Sequence, residues 1–184
     1  MTDREMKMRV AQEASNWWSD IITSPKFDIG ANNVEAMFAE AIATINVKPI
    51  SGNSIKCFRE ELYNNIMARI ENISEGMSII YDVDYAPDRN LREIAEHCNI
   101  PESNFPLKTT MWIYKDAVVV RYGYSANLEY IYDSVSFWQR KLTDTEKAIK
   151  YWEEKGEKSI IENYKEDIQN IRAQLESCMN RGDS

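Results

Sequence analysis

Histidine is almost missing from this sequence: His97 is the only one among 184 residues. Serine- or cysteine-nucleophile chemistry built on an imidazole base would therefore rest on that single ring, and no GxSxG elbow is present. Glycine is scarce too, six residues scattered singly, so no Gly-rich loop can cradle a phosphate. The three cysteines, Cys57, Cys98 and Cys178, lie far apart. An odd count without an export signal favours reduced thiols in a cytoplasm over a disulfide framework. His97 and Cys98 are adjacent, but neighbours on a helix diverge by about 100°, an awkward geometry for shared zinc ligation. No apolar run approaches the roughly 18 to 20 residues of a membrane span. The opening MTDREMKMRV has no apolar core, so no signal peptide is expected. Positive charge is in deficit: 22 Lys+Arg against 30 Asp+Glu give a net charge of -8 and a pI near 4.8. A broad basic face for phosphate binding is thereby disfavoured.

Apolar side chains make up 43% of the chain and aromatics 11%, enough for a folded core. Met6, Val10, Ala14, Trp17 and Ile21 recur at helical spacing, with Thr2 or Asp3 as cap and Pro25 as stop. The neighbours Trp17 and Trp18 cannot both face the same groove: either one enters the core and the other lies at an edge or contact surface, or both are packed by different parts of the fold. A second helix is expected from an Asn33 cap, with Val34, Met37, Phe38, Ala41 and Ile45 on one stripe. VKPISGN reads as a loop. A third helix begins at about Ser54, burying Ile55, Phe58, Leu62, Ile66 and Ile70, and ends before Gly76.

The period then changes from 3.6 to 2. MSIIYDVDY reads as a strand with Ile79, Tyr81 and Val83 on one face and Ile80, Asp82 and Asp84 on the other. Pro87–Asp88 opens a short helix with Leu91, Ile94, Ala95 and Cys98 inward. TTMWIYKDAVVVRYGY reads as a β-hairpin at about 109–123, turning at Lys115–Asp116. NLEYIYDS is either a third strand or the lead-in to a helix.

From Ser134 the chain is helical. One heptad seam runs through Val135, Trp138, Leu142, Thr145, Ile149 and Trp152, another through Ile161, Tyr164, Ile168, Ile171, Leu175 and Cys178. They are out of phase across EEKGEKS. Gly156 can end one helix, and Ser159 with Glu162, like Thr143 with Glu146, has the form of a capping box. A helical hairpin broken near Gly156 and one long rod with a stutter both satisfy this pattern.

Two constellations carry possible chemistry. DVDYAPD places Asp82 and Asp84 about 7 Å apart on one strand face with Asp88 close by, a spacing that can hold a divalent cation. Asp88 or Asn90 equally suits a helix N-cap. The hairpin interleaves aromatics and cations (Lys108, Trp112, Tyr114, Lys115, Arg121, Tyr122, Tyr124), and Trp112 and Tyr114 share a face, as in stacking platforms for single strands. The acidic excess concentrates in residues 51–133, with 8 Lys+Arg and 13 Asp+Glu against 9 and 10 in residues 134–184. Glu71, Glu75, Asp82, Asp84 and Asp88 lie close in sequence there. Such a face can imitate the phosphate ladder of a duplex and occupy another protein's nucleic-acid cleft.

The segment FPLKTTMWIYKDAVVVRYGYSANLEYIYDS (Phe105 to Ser134), with VDYAPDRNL (Val83 to Leu91), resembles a group of small uncharacterised proteins from phages and mobile elements of gut Firmicutes. The likeness spans about residues 58–134. Ser125 stands in GYSA where a second glycine is expected. Some proteins of this group act as anti-CRISPR proteins against Cas9-type nucleases. The resemblance implies a non-enzymatic inhibitor in the cytoplasm of a bacterial host.

Together these readings predict an α+β protein without cofactor or metal. N-terminal helices pack on a small antiparallel sheet in residues 1–133, and residues 134–184 form a helical arm. The expected partner is a CRISPR-Cas nuclease or its guide-RNA complex, with Glu71, Glu75, Asp82, Asp84, Asp88, Trp112 and Tyr114 at the contact and no membrane involved. One alternative is a self-associating module, a homodimer through 134–184. A second is a metal-dependent nuclease using Asp82, Asp84 and Asp88.

Overall fold

A computed structural model describes residues 1–25, 46–123 and 127–181. The expected helix over 33–45 lies outside them. The chain divides into two compact units, Thr2–Tyr132 and Asp133–Ser184.

The first unit begins with helix α1 (Asp3–Thr23). Thr2 caps it with a full capping box: the Glu5 amide donates to Thr2 Oγ1 at 3.2 Å, and the Thr2 amide donates to Glu5 Oε2 at 2.7 Å. The hydrogen bond from the Thr2 amide, and then the Thr2 hydroxyl, hold the Glu5 carboxyl below its ordinary pKa. The buried stripe is Val10, Ala11, Ala14, Trp18 and Ile22, turned by one residue from the expected Trp17 and Ile21. Trp18 is fully buried, while Trp17 is half-buried, its ring 6.0 Å from that of Tyr122. Helix α2 (Gly52–Ile70) starts earlier than expected because Ser51 caps it, accepting from the Ser54 amide at 3.1 Å. Phe58, Leu62, Ile66 and Ile70 are fully buried on its inner face, and Ile55 is half-buried at its start.

Strand β1 (Ile79–Val83) leads through a turn into helix α3 (Arg89–His97). Asn99 ends that helix in the left-handed region at φ 57°, with its amide on the Glu96 carbonyl and the Ile100 amide on the Ala95 carbonyl. This is a Schellman closure, sealed by buried Ile100. After a 3₁₀ turn (Glu102–Asn104) come β2 (Thr109–Ile113), β3 (Ala117–Arg121) and β4 (Leu128–Asp133). The sheet is antiparallel in the order β1-β2-β3-β4, and the β2–β3 turn at Lys115–Asp116 closes through the Tyr114 amide on the Ala117 carbonyl at 2.9 Å. NLEYIYDS is thus mostly strand. Ile79, Tyr81, Val83, Met111, Ile113, Val118 and Val120 meet the stripes of α1, α2 and α3 in one core.

One reading is overturned here. Cys57 and Cys98 are not separate thiols: they form a disulfide, Cα to Cα 5.6 Å, that ties α2 to the C-cap of α3. Sequence spacing could not reveal it, because the 41-residue separation is closed only by tertiary packing. Cys178 is a buried thiol outside the disulfide.

The second unit is a helical hairpin of α4 (Val135–Lys155) and α5 (Lys158–Asn180). Gly156 ends α4 in the left-handed region at φ 76°, so the chain reverses instead of running on as a rod. The two expected capping boxes are absent. Thr143 sits within α4 and donates to the Gln139 carbonyl at 3.0 Å, and α5 starts at Lys158, one residue before Ser159. Asp133 ties the hairpin's open end together. It accepts from Trp138 Nε1 at 2.6 Å and pairs with Arg181, while the Cys178 thiol donates to its carbonyl at 3.4 Å.

Candidate functional site

The aspartates of DVDYAPD are brought together, but each serves the fold. Asp88 is the N-cap of α3, accepting from the amides of Asn90 at 2.7 Å and Leu91 at 3.1 Å. Its other oxygen accepts the Asp82 amide at 2.8 Å, while the Asp88 amide donates to the Asp82 carbonyl at 2.8 Å. β1 is an edge strand, and antiparallel pairing turns alternate residues' backbone groups outward. Asp88 therefore satisfies the outward amide and carbonyl of Asp82, which blunts an edge that could otherwise pair with another chain. The Asp82 carboxylate faces the opposite way, accepting from Thr110 Oγ1 across the ladder at 2.6 Å. Asp84 lies beyond the end of β1, not on the strand face with Asp82, and is ion-paired with Lys108. That pairing raises the Lys108 pKa, and the Lys108 ammonium sits 3.9 Å above the Tyr85 ring. Among the described residues, no group of three His, Cys, Asp or Glu side chains is arranged to hold a metal ion.

Glu71 is the C-cap of α2 and accepts from Lys7 at 3.0 Å. Lys7 also pairs with Asp3 at 2.6 Å, and hydrogen bonds to Asp3 and then to Glu71 raise its pKa. Glu75 is different: it is exposed in the turn before β1, without an ion-pair partner among the described residues. The acidic cluster read from sequence therefore contains one fully available carboxylate, beside four engaged ones.

The hairpin aromatics divide as well. Trp112, half-buried, stands opposite Ile80 of β1 and Val119 of β3 on the outer sheet face. Arg121, one diagonal step away, lies 5.9 Å from the Trp112 ring and reaches Thr110 Oγ1 at 3.5 Å. Tyr114 is half-buried at the hairpin turn, Tyr122 packs on Trp17, and Tyr124 lies outside the described residues. Trp112 and Tyr114 are thus each only partly accessible.

Sequence reasoning passed over three exposed apolar side chains around the edge strand. Ile80 is 48% exposed, Met77 62% and Tyr85 71%. Strand alternation had already set Ile80 on the face opposite Tyr81, and that was the available signal.

No protein-family model matches this chain, and no curated protein matches it either.

Proposed function

We propose that this chain is a non-enzymatic binding protein, an inhibitor of phage or mobile-element origin that engages a Cas9-type nuclease in a bacterial cytoplasm and blocks its nucleic-acid engagement. The observation that carries this reading is the stretch from Glu75 to Tyr85. Within eleven residues it exposes Glu75, Met77, Ile80, Asp84 and Tyr85 along a sheet edge. Apolar and aromatic anchors rimmed by polar groups make up the core of a protein interface, and carboxylates there suit a basic cleft. Further exposed carboxylates without an ion-pair partner among the described residues, Glu61, Glu96 and Glu129, add to the acidic field. No helix among the described residues is long and apolar enough to cross a membrane.

The test is binding to Cas9 loaded with guide RNA, followed by DNA cleavage. Met77→Ala, Ile80→Ala and Tyr85→Ala together spare the buried core and should weaken binding by about 2 kcal/mol or more. Charge reversal is best confined to Glu75, Glu61 and Glu96, since Asp82, Asp84 and Asp88 hold the turn. Unchanged affinity in both variants would place any contact elsewhere, and no binding to any type II effector would end the reading.

A second reading, self-association through the arm, has its own support. Leu142, Ile149, Trp152, Tyr164, Ile168 and Leu175 remain only half-buried within the two-helix seam. A second hairpin packed on them would complete a four-helix bundle.

A further inference from the structure

We propose that the edge of β1 at Ile80 takes up a short extended segment of a partner protein, one that carries basic side chains, as an added strand. This deepens the binding reading above by naming how the partner is held, and it rests on that reading. The backbone supplies the first observation. The Tyr114 amide donates to the Ala117 carbonyl, so even-numbered residues of β2 turn their peptide groups towards β3 and odd-numbered ones towards β1. Ile79, Tyr81 and Val83, opposite Ile113, Met111 and Thr109, therefore use theirs in the ladder, and Ile80 and Asp82 point theirs away from the sheet. Both outward groups of Asp82 are taken by Asp88, at 2.8 Å each. Ile80 has no such cover: its outward amide and carbonyl meet no hydrogen-bond partner among the described residues. An antiparallel segment laid there exchanges two backbone hydrogen bonds with Ile80. Asp88 keeps it from continuing to Asp82, so the segment is short. The exposed side chains of Ile80 and Met77 offer its own side chains apolar contact.

Charge names the occupant. Residues 71–88 hold five carboxylates, Glu71, Glu75, Asp82, Asp84 and Asp88, and no Lys or Arg. Lys7 and Lys108 reach in to pair with Glu71 and Asp84, which still leaves the stretch net negative, with Glu75 unpaired among the described residues. A second copy on this edge would bring the same carboxylates against one another, a costly like-charge arrangement. A segment bearing Lys or Arg gains attraction from them instead, so the backbone groups of Ile80 hold the strand and the carboxylates around it select a basic one.

The probe is an N-acetylated, C-amidated hexapeptide of Lys-Val repeats, compared with its Glu-Val counterpart and with the Lys-Val peptide methylated at every backbone nitrogen. The readout is amide hydrogen exchange of the intact protein, residue by residue. Because the probe is no part of a nuclease, its failure leaves the Cas9 reading to the cleavage assay. Without peptide, the Ile80 amide should exchange about tenfold or more faster than the bonded amides of Tyr81 and Asp82. The Lys-Val peptide should slow it saturably by about tenfold or more, while the Glu-Val and N-methylated peptides leave it unchanged. Ile80→Pro removes the outward donor but no ladder bond, a place where an edge strand tolerates proline. That variant should fold and bind the Lys-Val peptide about tenfold or more weakly. Where it does not fold, the N-methylated peptide decides on the wild-type protein. An Ile80 amide that is already protected, that no peptide slows, or that the Glu-Val or N-methylated peptide slows equally overturns the proposal. So does protection that grows with protein concentration alone, which would assign the edge to a second copy.

Discussion

Tyr81 illustrates how much one side chain can be asked to do. It sits on the inner face of β1, fully buried, donates its hydroxyl to Asn65 Oδ1 at 2.7 Å, and lies 5.3 Å beneath the Arg69 guanidinium. Burial pushes its phenol up to about 12, against an opposing pull from Arg69. In the unfolded chain it titrates near 10, so the folded state holds its proton longer. Stability from this group is intact below pH 10 and falls as pH rises from 10 towards 12, by about 3 kcal/mol in all. The raised pKa of Lys7 acts in the same alkaline direction. Absorbance titration near 295 nm should show Tyr81 ionising late, together with loss of near-UV circular dichroism, and Tyr81→Phe should remove that contribution. Asp88 teaches a related point. One carboxylate caps a helix and closes a strand edge, so acidity in sequence is not the same as charge on offer.

At the scale of elements, α3 is held at both ends. Asp88 fastens its start to β1, and the Cys57–Cys98 bond fastens its end to α2. Closing a 41-residue separation in the unfolded chain corresponds to about 4 kcal/mol on the chain-entropy account. Urea melts of the oxidised protein and of Cys57→Ser/Cys98→Ser should differ by that order. Coincident melts would show that the bond contributes nothing. The state of the bond has a direct check: alkylation of the oxidised protein under denaturing, non-reducing conditions should label Cys178 alone, whereas three labels would mean that the bond had not formed. The hairpin turn is fixed more locally. Gly156 lies at φ 76° with open space where a Cβ would point, so a side chain there meets backbone strain and no collision.

Over the whole molecule, charge and apolar exposure are unevenly shared. Residues 1–133 hold 13 of the 22 basic residues and 20 of the 30 acidic ones, a net charge of -7, and the arm holds 9 and 10, a net charge of -1. The near-neutral arm offers little repulsion to a second copy, whereas the first unit suits a basic partner. The sedimentation mass at tens of micromolar separates the two readings. If the arm self-associates, the mass is twice 21.5 kDa and returns to one chain in Ile149→Glu/Ile168→Glu. A monomer at every concentration sinks the dimer. Binding of the acidic unit to a basic partner should also weaken with salt, as screening shortens the reach of its field.

Local rules alone determined much of this protein. Periodicity of 3.6 marked α1, α2 and both arm helices, alternation marked β1 and the β2–β3 hairpin, and Gly156 marked the reversal between α4 and α5. These signals are readable because hydrophobic spacing and cap chemistry act within a few residues. They failed by one residue on α1, where spacing suggested Trp17 and packing buried Trp18. What spans long separations was decided only by the tertiary structure: the Cys57–Cys98 bond, the pairing of Lys7 with Glu71, and the stacking of Arg121 on Trp112. So was the division of the acidic cluster into engaged and available carboxylates. Asp82, Asp84 and Asp88 read alike along the chain, and only the folded positions of Thr110, Lys108 and the α3 amides tell them apart. A side chain's charge is written in its residue type, but its freedom to act depends on which groups the fold sets against it.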